Sequence, residues 1–159
     1  MRSSNPSAGD RRLAPEGSLR RSVQLFRAFR VEQSDPDHFY SLLARDSIRE
    51  VQRWCSVEGA TVLDVGGGPG YFADAFVAAG ARYAGVDPDV GELTARGDAG
   101  STMVRASGLQ LPFAPGGLDL VYSSNVLEHV AEPEAMAFEM VRVARTGGTV
   151  VISWTPWLS

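Results

Sequence analysis

Apolar positions along this chain recur with two different periods, and the switches between them mark out its elements. Leu19, Val23, Phe26 and Val31 follow Ser18 at near-helical spacing, with Arg20, Arg21, Arg27 and Arg30 on the polar side, which predicts an amphipathic first helix. Asp35-Pro36 is an N-cap followed by proline at the first helical position. Phe39, Leu42, Leu43, Val51, Trp54 and Cys55 then populate one face of a second helix running to about Ser56. Thr61 to Val65 is a short apolar run with one carboxylate and reads as a strand, and Tyr71 to Ala79 reads as a helix ended by Gly80. Arg82 to Asp87 predicts a second strand that Pro88 cannot extend. Val90 to Arg96 is a poor helix interrupted by Gly91, Gly97 to Gly100 a loop, and Thr102 to Ala106 a short third strand. Leu118 to Ser123 is an apolar strand of the kind buried on both faces of a parallel sheet. A helix opens at Pro133, with Met136, Met140, Val141 and Ala144 on its apolar face and Gly147 as its stop, and Thr149 to Trp154 is the fifth strand. The methionines read as core.

Strands alternating with helices imply a parallel α/β sheet, and in such sheets ligands sit beyond the carboxyl ends of the strands. The turn Gly66-Gly67-Gly68-Pro69-Gly70 lies at the first of these ends. Residues without a Cβ let backbone N–H groups approach a bound molecule, and the following helix start offers unpaired donors. The spacing is G-x-G-x-G, with Tyr71 where a dinucleotide fingerprint has its third glycine, and a Walker loop is excluded because the chain contains no lysine. Asp87, 21 residues after Gly66 at the tip of the second strand, is placed to accept hydrogen bonds from ribose hydroxyls.

An acidic residue in the strand, Asp64, followed by Gly66-x-Gly68-x-Gly70 resembles motif I of the class I S-adenosylmethionine-dependent methyltransferases. The later order Gly85-Val86-Asp87-Pro88-Asp89, Leu111-Pro112-Phe113 and Leu118 to Val130 is similar to the type 11 branch, so the resemblance covers about Ala60 to Ser153. It implies a Rossmann-like, doubly wound parallel α/β sheet of five strands in the order 3-2-1-4-5 with N-terminal cap helices. It also implies S-adenosyl-L-methionine as the methyl donor. Asp64, Gly66, Gly67, Gly68 and Gly70 would hold the methionyl amino and carboxylate groups, and Asp87 the ribose. Ser107 and Gly108 would meet the adenine edge, and Asn125 the region near the amino group. Ser107 stands where relatives commonly carry an aspartate, which weakens that contact and shifts adenine recognition toward backbone amides. The resemblance implies N-terminal helices that fold over the donor and contribute to the acceptor pocket, which makes His38, Phe39 and Tyr40 candidates for the pocket wall. The family sheet generally has seven strands, so a chain ending soon after the fifth suggests truncation, with the fifth-strand edge left to pair with missing C-terminal strands or another chain.

Methyl transfer needs positioning more than acid–base chemistry. Glu128-His129 is nevertheless an acid/base-looking pair, with His129 a candidate general base and Glu128 its neighbour; both could equally brace the next helix. In related quinone O-methyltransferases a Glu-x-x-Glu-His stretch is associated with a divalent metal. Asn125 stands at the first acidic position here, so no metal is expected.

Composition narrows the organisation. Of 159 residues, the first thirty hold seven arginines against Asp10 and Glu16, a net +5, and eight basic and seventeen acidic residues lie beyond, a net −9. Three parts are expected: a disordered basic leader over 1–17, a helical cap over 18–58, and the S-adenosylmethionine-binding domain over 59–159. A nucleic-acid substrate is not expected, because the body is acidic, and peripheral membrane contact through the basic leader has little support. Cys55 is the one cysteine, and no apolar run is long enough for a spanning helix or signal peptide, which points to the cytoplasm. The acceptor reads as a small molecule, with Trp154, Trp157, Phe39 and Tyr40 hinting at a lipid or quinone. A non-catalytic S-adenosylmethionine-binding module and a nucleotide-dependent oxidoreductase are the alternative functions.

Overall fold

The structure, a computed structural model, describes residues 18–30, 32, 34–95 and 102–154. The leader expected over 1–17, the loop over 97–100 and Trp157 lie outside the described residues, as do Val31 and the side chain of Leu19.

Helices α1 (Ser18–Phe29) and α2 (Pro36–Val51) precede β1 (Thr61–Val65), α3 (Ala73–Ala78), β2 (Arg82–Asp87), α4 (Val90–Thr94), β3 (Met103–Arg105), β4 (Leu118–Ser124), a 3-10 turn at Leu127–His129, α5 (Pro133–Val143) and β5 (Ala144–Ser153). The strands form one parallel sheet in the order β3-β2-β1-β4-β5, which is the doubly wound topology expected from the sequence.

Each face of the sheet carries its own core. Val62, Leu120 and Tyr122 point toward α2 and α3, where they meet Phe39, Ala44, Ile48 and Phe76. Leu63, Val65, Val86 and Val121 point the other way, onto Met136, Met140 and Val143 of α5. This is the period of two in β1, buried on both sides, and it explains why that strand reads as a continuous apolar run. Phe76 is fully buried between Tyr83 and Tyr122, with ring centroids at 5.7 and 5.3 Å.

Several element boundaries differ from the sequence expectation. Helix α3 starts at Ala73 and ends at Ala78, because the glycine turn takes up Tyr71 and Phe72. Helix α2 ends at Val51, before Ser56. In α1, Val23 and Phe26 of the anticipated stripe stay exposed, while Leu25 and Ala28 pack inward. Trp54 and Val141 are likewise exposed, at 74% and 61%. The largest departure is at β5. It begins at Ala144, directly after α5, and Gly147 lies within the strand with φ +75°, so it does not stop the helix. Leu118 pairs with Ala144 but Leu120 with Thr149, so β5 bulges by three residues against β4. Asp119 anchors this irregularity, accepting from Arg145 Nε at 2.6 Å and from the Thr61 backbone at 2.8 Å. Gly148 is required there, since a Cβ would sit 2.9 Å from the Arg145 carbonyl oxygen and 3.0 Å from that of Leu118.

Asp64 is the carboxylate inside the core, 2% exposed and accepting from Tyr83 Oη at 2.9 Å. Burial pushes its carboxyl up to about 7; the Tyr83 hydrogen bond opposes that rise and the neighbouring Asp87 charge adds to it. Among the described residues no helix is long and apolar enough to cross a membrane.

Two measurements test this packing. Phe76→Ala should cost about 3–5 kcal/mol of folding stability in chemical denaturation, because it empties the junction of α3 with β2 and β4. Asp64 titrates near 3.8 in an unfolded chain and near 7 when folded, so between those values only the folded state holds its proton, and stability falls as pH rises through that window. Asp64→Asn should remove that part of the slope, gaining at least about 1 kcal/mol on the native protein by neutral pH. An unchanged pH profile would show that the carboxyl is not desolvated.

Candidate functional site

The carboxyl ends of β1, β2 and β4 open into one cleft of about 870 Å³. Its floor is the turn between β1 and α3. Gly66 and Gly67 donate their backbone N–H groups to the Val86 carbonyl at 2.8 and 3.1 Å, which ties the turn to the end of β2. Gly66, Gly68 and Gly70 adopt φ of +79°, +52° and +80°, the left-handed region that side chains disfavour. A Cβ on Gly66 would also approach Val126 Cγ2 to 2.5 Å, and one on Gly67 would approach Asp64 Oδ2 to 3.1 Å. The glycine spacing in the sequence is thus a requirement of this turn twice over, for conformation and for space.

Asp87 is 8% exposed and lines the cleft. Its Oδ2 accepts from the Gly68 backbone at 3.0 Å and its Oδ1 from the Asp89 backbone at 2.9 Å. Each oxygen retains a further acceptor position, so the carboxylate is oriented by the protein and still able to bind hydroxyls. The cap of α4 falls to Asp89, which accepts from Gly91 and Glu92.

Asn125 follows β4 with φ +54°, a conformation asparagine tolerates better than most residues, and its backbone donates to Ser153 across the sheet at 2.8 Å. Ser123, fully buried, donates to the Val65 carbonyl at 2.8 Å and so fixes the exit of β4 to that of β1. Glu128 and His129 lie on the 3-10 turn, exposed, and both line the cleft despite being adjacent in sequence.

Asp64, Gly66, Gly67, Gly68, Asp87, Asn125, Glu128 and His129 therefore come together, with Gly70 shaping the turn. Ser107 and Gly108 do not line this cleft. The chain reaches them just past Asp87, whose carbonyl accepts from Ala106 at 3.1 Å. The Ser107 hydroxyl accepts from Leu109 at 3.2 Å, and Gly108 packs closely on Met136 and Val65. His38 points elsewhere, exposed in the first turn of α2, while Phe39 and Tyr40 line the cleft. Trp154 belongs to a separate groove between α1, α2 and β5, so it shares no wall with Phe39 and Tyr40.

Sequence reasoning missed part of the wall. Tyr71 stacks on Tyr40 with centroids 4.5 Å apart and planes 19° from parallel, and Glu32 accepts the Tyr40 hydroxyl at 2.7 Å. Burial, then this hydrogen bond, pushes the Tyr40 phenol up to about 12. An aromatic residue closing a glycine turn was the available signal for Tyr71. Glu32, in the link between two helices, and Glu92 on α4 had none. Among the described residues, Glu32, Asp64, Asp87, Glu92 and Glu128 put five carboxyl side chains on the cleft, and no arginine of that set lines it. Among the described residues no cluster of His, Cys, Asp and Glu side chains could hold a metal ion.

Comparison with known proteins agrees with this arrangement. The methyltransferase domain family matches residues 63–152. An uncharacterized methyltransferase of Mycolicibacterium gilvum is 52% identical over 157 residues, covering 92% of this chain and 61% of its own length. One from Mycobacterium marinum is 50% identical over 157 residues, with coverages of 92% and 62%. This chain thus spans a little over three fifths of the curated relatives it matches. The crystal structure of an S-adenosylmethionine-dependent methyltransferase from Mesorhizobium loti superposes with a TM-score of 0.59 at 25% identity, over 68% of this chain and 52% of that one. With its 3-2-1-4-5 parallel sheet and its glycine turn bonded to the acidic tip of β2, the chain belongs to the class I S-adenosylmethionine-dependent methyltransferases, type 11 branch.

Proposed function

We propose that this chain binds S-adenosyl-L-methionine in the cleft above the glycine turn and transfers its methyl group to a small organic acceptor. The observation that supports this most is electrostatic: among the described residues, five carboxyl side chains and no arginine line the cleft. A dinucleotide would bring a pyrophosphate into that field, with the backbone donors of the turn to offset it and no arginine among the described lining residues. S-adenosylmethionine has no phosphate; its sulfonium and ammonium outweigh its single carboxylate, so its charge is complementary to the wall.

The residues present fit the group. The bare backbone at Gly66 to Gly68 admits close contact, and Asp87 is already aimed by the Gly68 and Asp89 amides to receive two ribose hydroxyls. Asp64, Asn125 and the glycine turn would hold the aminoacyl end. When bound, the donor supplies a methyl group on a positively charged sulfur, already activated for in-line displacement. The protein's part is then to fix the reacting atoms in line and to exclude water. His129 and Glu128, at the open side of the cleft, are positioned to take a proton from an acceptor that must lose one.

Calorimetry on the full chain tests the donor assignment. S-adenosylmethionine and S-adenosylhomocysteine should bind while NAD does not, and Asp87→Asn should weaken S-adenosylmethionine binding by about tenfold or more, the loss of roughly 1.4 kcal/mol or more in charge-assisted hydrogen bonds. NAD binding with no response to S-adenosylmethionine would reverse the reading. Binding without transfer to any acceptor would favour a non-catalytic module.

A further inference from the structure

We propose that the wall formed by Tyr40, Tyr71 and Glu32 is a subsite for a protonated amine, and that the methyl acceptor is an amine. The proposal rests on the donor reading above and deepens it by naming the acceptor class.

The glycine turn, Asp64 and Asp87 account for one side of the cleft. The adjoining wall, where Tyr71 leaves the turn to meet Tyr40 of α2, is aromatic, and its rings are held in place. Tyr40 stacks on Tyr71, Phe39 meets Tyr40 edge-on with centroids 5.0 Å apart, and Phe29 meets Phe39 edge-on at 5.9 Å. A stacked pair of tyrosines offers electron-rich faces, and a cation within about 6 Å of such a face is attracted to it. Glu32 strengthens this in two ways. By accepting the Tyr40 hydroxyl at 2.7 Å it pushes electron density into the ring, and its remaining lone pairs can take an ammonium N–H. The phenol remains protonated well beyond neutral pH, so the pair persists as donor and acceptor.

The chemistry of transfer agrees with the wall. A docked ammonium first gives its proton to His129 or to water at the open side of the cleft. The nitrogen lone pair then forms the N–C bond, while the pair of the breaking C–S bond returns to sulfur, leaving a neutral thioether and a methylated ammonium. Positive charge moves from sulfur to nitrogen and is never lost from the acidic cleft. A carboxylate or phenolate acceptor would instead have to enter as an anion among Glu32, Asp87, Glu92 and Glu128, with no arginine among the described lining residues to receive it.

Ligand-observed NMR on the full chain saturated with S-adenosylhomocysteine tests the subsite directly. The probes are 2-phenylethylammonium, 3-phenylpropionate and 4-ethylphenol, of matched size. The amine should bind about tenfold more tightly than the other two, and Glu32→Gln and Tyr40→Leu should each weaken it by roughly five- to tenfold. Both variants should keep S-adenosylhomocysteine affinity within about twofold, which shows that they fold. In parallel, label transferred from methyl-tritiated S-adenosylmethionine to a small-molecule cell extract should be retained on a cation exchanger. Equal or tighter binding of the acid or the phenol, indifference of the amine to both variants, or label recovered in the anionic or neutral fraction would overturn the acceptor class while leaving the donor reading standing. Failure of S-adenosylhomocysteine to bind in calorimetry would overturn both.

Discussion

The structure depends on one backbone contact, the attachment of the first glycine turn to the end of β2. Gly66 and Gly67 give their amides to Val86, and Gly68 gives its amide to the Asp87 carboxylate. Those three donors would otherwise face the cleft or be buried without partners, and satisfying them locks the ends of β1 and β2 together beneath the cleft. Because the turn needs left-handed residues, and because Val126 and Asp64 press against it, no side chain can be added at Gly66 or Gly67 without displacing a neighbour. The opening over the turn is therefore enforced from below.

Charge then selects what can occupy that opening. In open α/β sheets the backbone donors at such a turn commonly serve a phosphate. Here they are surrounded by acidic side chains contributed by five different segments: the link between α1 and α2, the end of β1, the end of β2, helix α4, and the turn after β4. The combination of bare backbone and negative wall admits a zwitterionic or cationic ligand far better than an anionic one. Asp64 has a different place in this field from the rest. It is desolvated and hydrogen-bonded by Tyr83, so its charge state responds to whatever cation lies above it, while the exposed glutamates set the long-range potential.

The N-terminal helices are part of the same construction. Phe39 is buried in the core shared with Phe76 and Tyr122, and its sequence neighbour Tyr40 faces the cleft. One helical segment therefore couples sheet packing to the shape of the site. Elsewhere the sheet tolerates irregularity. The bulge of β5 opposite Leu118 is absorbed by Asp119, Arg145 and Gly148 at the amino end of the strands, away from the chemistry.

The sequence by itself determined the alternation of strands and helices, the position of the glycine turn and the acidic residue at the tip of β2, because each depends on local rules: period-two burial, left-handed glycines, and a strand ending at Asp87-Pro88; the strand order was implied by the family resemblance. The boundaries of α3 and β5 were not legible. Tyr71 and Phe72 have ordinary helical propensity but belong to the turn, where they pack on Tyr40 and Tyr122, and the run Ala144 to Gly148 joins β5 because β4 lies alongside it. The parts of the site differ in the same way. Asp87 and the glycines follow from motif spacing, and Asp64, Asn125 and Tyr40 from the family resemblance, whereas the meeting of Glu32 and Tyr40 with Tyr71, 39 and 31 residues further on, is encoded by no local pattern. Only the folding of α2 over the sheet brings those rings together, since stacking and charge at a cleft are properties of distances in space and not along the chain.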